Sequence, residues 1–100
     1  MSKPILCLDF DGVIHSYSSG WKGADIIPDP PVPGALFFLY DALDHFDVCV
    51  FSSRSNQPHG IYAMRKWLRQ HAINALGEGM FFDDPNLCWL DRIKWPTEKP

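Results

Sequence analysis

Cysteine is scarce in this chain and forms no pattern. Cys7, Cys49 and Cys88 are odd in number and lack Cys-x-x-Cys spacing, so neither a disulfide framework nor a zinc site is indicated. Cys7 and Cys49 lie inside apolar runs, where small buried thiols in a reducing compartment are expected. Long hydrophobic runs are missing too: none approaches the roughly 18–20 residues of a membrane span. Met-Ser-Lys-Pro at the start is followed by an apolar run that breaks at Asp9, which is not a signal-peptide pattern. A cytosolic chain with no membrane partner is the expectation. Positive charge is not in excess, since the formal net charge is −3. That argues against a dedicated nucleic-acid binder, and nucleic acid enters only as a substrate. There is no internal repeat, low-complexity tract or linker.

What is present favours one small packed domain over residues 1–100. Apolar residues make up 46% of the chain, and the aromatics include four tryptophans, which raises the apolar surface each residue can bury.

Residues 5–10, ILCLDF, form an almost continuous apolar run. It is expected to be a strand covered on both faces, as in a parallel sheet. Residues 13–33 then carry glycine, proline and serine throughout, and "PDPPVPG" is neither helix interior nor central strand. A long irregular loop in a small domain is usually functional. After Pro33-Gly34, the spacing of Leu36, Leu39, Leu43 and Phe46 marks one helix face, widened by Phe37, Phe38 and Tyr40. This helix is expected to be heavily covered. "DVCVFSS" at 47–53 is a second apolar run with a small polar ending. Pro58 is placed in the first turn of a second helix that runs to about His71, with Ile61, Met64, Leu68 and Ala72 as its buried stripe. The alternation predicts an α/β sandwich with a mainly parallel sheet and right-handed crossovers. Ligands bind at the carboxyl ends of such strands. Both polar endings, Asp9-Phe10-Asp11-Gly12 and Ser52-Ser53-Arg54, are at carboxyl ends.

In extended chain, residues i and i+2 point the same way. Asp9 and Asp11 therefore address one space, while Phe10 goes to the other face and Gly12 permits a positive φ. Two neighbouring carboxylates persist when a cation sits between them or one is protonated. Oxygen donors without His or Cys suit Mg²⁺ better than zinc. One carboxylate can attack phosphorus and form an acyl phosphate. The other can protonate the leaving oxygen and later deprotonate water. The Ser52 hydroxyl and the amides of Ser53 and Arg54 are candidate donors to phosphoryl oxygens.

"LDFDGV" and "VCVFSS" resemble the first and second motifs of the haloacid dehalogenase superfamily, and the likeness covers roughly residues 4–72. That resemblance implies a three-layer, Rossmann-like core and a Mg²⁺-dependent phosphohydrolase acting on a phosphomonoester. Asp9 is then nucleophile and metal ligand. Asp11 is general acid/base and metal ligand through its backbone carbonyl, and Ser52, Ser53 and Arg54 hold the phosphate. The loop 13–33 corresponds to a flap. No room exists for a large cap, which implies an open site able to take large or exposed phosphorylated substrates.

The family also uses a lysine and a later acidic motif. Two assignments stay open. In one, Lys99 of "TEKP" is the phosphate-binding lysine and the acidic strand follows Pro100, which leaves the C-terminal part of the fold incomplete. In the other, Lys66 is the lysine and Asp83-Asp84 of "FFDD" is the acidic motif. The first is preferred, because Lys66 falls mid-helix and "MFF" is short for a central strand. Lys94 is a further candidate that reads more simply as a surface charge. A truncated or non-catalytic binding domain of the same type is the alternative function.

Other residues have plainer expectations. His15 is a hydrogen-bonded loop histidine at the base of the flap. His45, His59 and His71 sit at helix ends or edges, where charge can help a carboxyl terminus. Arg65, Lys66 and Arg69 form a solvated basic face. Trp21 either covers the site or packs at the domain edge. Arg54 either contacts phosphate or caps the following helix.

Overall fold

The structure is a computed structural model that describes residues 3–77 and 86–95. The first apolar run forms β1, Ile5–Asp9, and the second forms β2, Asp47–Phe51. They pair in parallel, from Ile5 opposite Asp47 to Asp9 opposite Phe51. The connection between them contains the long loop and α1, Ala35–Ala42. Beyond β2, the backbone of Lys94 continues the sheet. Its N–H donates to Val48 O and its carbonyl accepts from Val50 N, both at 2.9 Å. Thus β2 is flanked on both sides, while β1 has β2 as its strand partner among the described residues.

α2, Gly60–Gly77, follows a 3-10 turn at Ser53–Asn56. Met64, Leu68 and Ala72 are buried, as their spacing predicts, and Trp67 and Ala75 widen the stripe. The helix runs past His71, because Ile73-Asn74-Ala75-Leu76 holds no breaker before Gly77. Its start depends on a close approach. A Cβ on Gly60 would lie 1.7 Å from the Arg54 carbonyl oxygen, so only glycine lets the helix begin against that turn. Arg65, Lys66 and Arg69 are exposed, as expected of the polar face.

The buried residues form one cluster. It joins Phe10, Val48 and Val50 to Leu36, Leu39 and Leu43 and to the stripe of α2, with Trp89 and Ile93 from the last described segment. Two expectations are corrected here. β1 alternates between exposed and partly buried positions, because both helices contribute to the core on one face of the sheet. Cys7 is consequently exposed and Cys49 half-buried, not enclosed, and Cys88, in the 3-10 segment Cys88–Arg92, is exposed as well. α1 is also less covered than expected, with Phe37 and Phe38 52% and 51% exposed. Successive helix residues point about 100° apart, so the core reaches the stripe of Leu36, Leu39, Ala42 and Leu43 and leaves Phe37 and Phe38 outside it. Among the described residues the architecture is thus an α/β fold with a two-stranded parallel sheet and two α-helices.

Candidate functional site

The site is built where β1 ends. Asp9 is its last residue, Phe10 turns inward and is fully buried, and Asp11 opens a tight turn. Gly12 takes φ 86°, and its N–H donates to His15 O at 2.7 Å. The N–H groups of Ile14 and His15 both donate to Phe10 O at 2.9 Å. This compact turn buries His15 completely and places its Nδ1 2.9 Å from Asp11 Oδ1. The long loop closes on itself at its base: Val32 N donates to Ile14 O and Ser16 N to Pro30 O.

β2 brings the second polar ending alongside. Ser52 Oγ donates to Asp11 Oδ2 at 3.4 Å and accepts from Arg54 N at 3.1 Å. Arg54 is the largest fully buried side chain. Its Nε donates to both Asp11 oxygens, at 3.2 and 3.0 Å, and Nη2 donates to Oδ1 at 3.0 Å. Nη1 donates to the carbonyls of Gly23, Ala24 and Ile26 at 2.8, 3.0 and 3.2 Å. The Trp21 ring lies over the guanidinium, 4.8 Å away. One buried cation therefore joins Asp11 to the tip of the loop, and its burial is offset by a charged partner and near-complete hydrogen bonding.

His15 completes the turn. Asp29 N donates to its Nε2 at 3.1 Å, so Nε2 is an acceptor and the ring proton is on Nδ1, donating to Asp11. Asp29 receives the Ser19 hydroxyl at 2.6 Å and the Ser19 N–H at 2.8 Å. The Ser19 hydroxyl first, then its N–H, hold the Asp29 carboxyl below the ordinary carboxylate range. Trp67 of α2 donates its indole N–H to Asp29 O at 3.1 Å, which fastens the loop to the core.

The structure therefore brings Asp11, Ser52 and Arg54 together, with Ser53 exposed at the head of the 3-10 turn. Asp9 stands exposed beside them, and its carboxylate has no hydrogen-bond partner among the described residues. The Arg54 side chain neither caps α2 nor points to a free phosphate position. Its side-chain donors are spent on Asp11 and the loop, and its amide, expected to face a phosphoryl oxygen, donates to Ser52 Oγ instead. Lys66 and Lys94 are exposed, on α2 and at the sheet edge. Lys99, Asp83 and Asp84 lie outside the described residues. His71 sits within α2 rather than at its end. It packs 4.5 Å from the Trp67 ring, and burial pushes its pKa down. Asp29 and Gly60 were not anticipated. The only signal for Asp29 was its place in "PDPP", and a close backbone approach leaves no mark in a single sequence.

Among the described residues, no group of three or more His, Cys, Asp and Glu side chains gathers to hold a metal. The oxygen donors at the site are the Asp9 carboxylate and the Asp11 backbone carbonyl, which accepts no hydrogen bond among the described residues. Two clefts of about 560 and 440 Å³ run along α2, and neither is lined by Asp9, Asp11 or Ser52. No helix among the described residues is long and apolar enough to cross a membrane. Compared with known proteins, the chain matches no family model, no curated protein and no solved structure.

Proposed function

We propose that this chain is a phosphohydrolase of the haloacid dehalogenase type, acting on a phosphomonoester through an aspartyl-phosphate on Asp9. The observation that carries the reading is the unequal treatment of two carboxylates on one strand end. Asp9 is exposed without a hydrogen-bond partner, while Asp11 is oriented by Ser52, Arg54 and His15. A nucleophile needs an open approach, and a group that moves a proton needs a fixed position. The Asp9 carboxylate attacks phosphorus, and the phosphoryl group passes to it as the leaving oxygen departs with a proton from Asp11. Asp11 then takes a proton from water, which attacks the acyl phosphate and restores Asp9. Ser52, whose hydroxyl lies between Asp11 and the turn amide, holds a phosphoryl oxygen.

The donor chemistry fits Mg²⁺, since two hard oxygens suffice for an ion that keeps several waters and takes further ligands from phosphate. It would be held by the Asp9 carboxylate and the Asp11 carbonyl, and would supply charge neutralisation for the phosphoryl oxygens. The three-layer Rossmann-like core and a cytosolic location belong to the same reading. Its third layer would cover the sheet face on which Ile5 is 71% exposed. The free thiols agree with a reducing compartment.

Magnesium-dependent hydrolysis of an aryl phosphate is the direct test. Asp9→Asn is expected to lower kcat by about 10³-fold or more, with the fold intact by circular dichroism. Hydrolysis that survives this substitution rejects the mechanism. A second reading, a non-catalytic binding domain, is favoured by one observation: the Asp11 carboxylate is already occupied by Arg54. A folded chain that binds millimolar Mg²⁺ and phosphate yet turns over no ester would support it.

A further inference from the structure

Outside this network, one cluster of nucleophilic side chains has no role in the reading above. Cys7 of β1 and Cys49 of β2 are register partners in the parallel sheet, so their side chains project from the same face. Lys94 pairs with Cys49 from the other side and puts a lysine at the end of that row. It is the sheet face opposite the helices, where Cys7 is exposed and Cys49 half-buried. Adjacent strands lie about 4.8 Å apart, within the roughly 4.4–6.8 Å between Cα atoms that a disulfide bridges. We infer that Cys7 and Cys49 are a cross-strand redox pair, closed to a disulfide by a low-molecular-weight disulfide such as oxidised glutathione.

Burial first, and then the neighbouring Cys7, raise Cys49 above the ordinary thiol range. That divides the labour. Exposed Cys7 attacks as thiolate on one sulfur of the glutathione disulfide, forming a mixed disulfide and releasing one glutathione thiol. Cys49 then loses its proton and attacks the Cys7 sulfur, and the second glutathione thiol leaves. Two protein thiols are oxidised, and one small disulfide is reduced to two thiols. The bond ties β1 to β2 two rungs below Asp9 and Phe51. It also encloses the loop and α1 between its two ends, which removes freedom from the unfolded chain. The pair needs this face open as described, so a third layer over it would exclude the exchange, and the exchange is tested without activity.

The full chain is incubated with oxidised glutathione, and its free thiols are counted after gel filtration. The expected count falls from three to one, the monomer mass drops by two hydrogens, and a non-reducing peptide map joins the Cys7 and Cys49 peptides. The melting temperature rises and returns to its starting value with dithiothreitol. Cys7→Ser and Cys49→Ser each abolish the two-hydrogen loss, whereas Cys88→Ser leaves it unchanged. A link involving Cys88, a covalent dimer, or glutathione left on both Cys7 and Cys49 overturns the inference, as does retention of three thiols. If Cys49→Ser folds poorly, the exposed Cys7→Ser variant and the wild-type map decide the matter alone.

Discussion

Asp9 and Asp11 are one residue apart and chemically the same, yet their surroundings differ completely. Asp9 ends a strand at an exposed position with no hydrogen-bond partner among the described residues. Asp11 has a side chain only 15% exposed, held by a fully buried arginine, a fully buried histidine and a serine. The difference comes from the chain that follows each. Asp9 is still on a regular strand whose outward face is open. Asp11 begins a turn that folds back, so the loop and the end of β2 close around it. A carboxylate pair reads as symmetric in sequence and becomes two distinct tools through its neighbours.

The largest expected effect comes from breaking the held half. Arg54→Ala removes the charged partner of Asp11 and the donor to three loop carbonyls. Removing one partner of a buried ion pair costs about 3–5 kcal/mol, read as a lower urea midpoint. Asp9→Asn, at an exposed site, should shift stability by less than about 0.5 kcal/mol. Equal losses for the two variants would mean that the asymmetry has no energetic content. Arg54→Lys should rescue little, because an ammonium cannot reproduce the forked contacts.

Gly60→Ala acts on the same half from behind. The new Cβ meets the Arg54 carbonyl oxygen, and helix or turn must shift. Overpacking of this kind costs about 1–3 kcal/mol. A loss near that of an ordinary helical glycine-to-alanine change, which is favourable or neutral, would show that the approach is not tight.

The smallest effects are in pH. Asp29 has a depressed carboxyl pKa, so its contribution is present above the unfolded value of 3.8 and is lost as pH falls through the folded one. The stability gap between wild type and Asp29→Asn should therefore narrow in strong acid. His71 is also depressed, by burial. For a histidine this means that the unfolded chain takes up its proton first, so stability declines as pH drops below about 6.5. Denaturation midpoints from pH 7 down to about 1.5 separate the two limbs. A gap that stays constant in acid would contradict the bonding assigned to Asp29.

Much of this arrangement was legible in the chain. "LDFDGV" and "VCVFSS" placed Asp11 and Ser52 side by side because parallel strands align their carboxyl ends. The four-residue spacing of Met64, Leu68 and Ala72 marked the buried stripe of α2. Arg54 was misjudged, since a guanidinium at a strand end can face a ligand or a loop, and the loop at 13–33 has no periodicity to show where it returns. The thiols were misjudged for a related reason. Apolar neighbours imply a buried strand, but burial of each face depends on which elements cover it, and both helices here serve one face. Gly60 acts through a backbone approach to Arg54 and Asp29 through contacts with Ser19, His15 and Trp67, which no apolar periodicity encodes.

The central claim is that Asp9 alone receives the phosphoryl group while Asp11 moves protons around it. Acid-quenched intact mass and peptide mapping of Asp11→Asn, after brief exposure to an aryl phosphate and Mg²⁺, test it directly. This variant should accumulate a phosphoryl adduct on the peptide containing Asp9, because the water-activating group is gone. Finding the adduct on another residue, or finding that Asp9→Asn still forms it, would contradict the account.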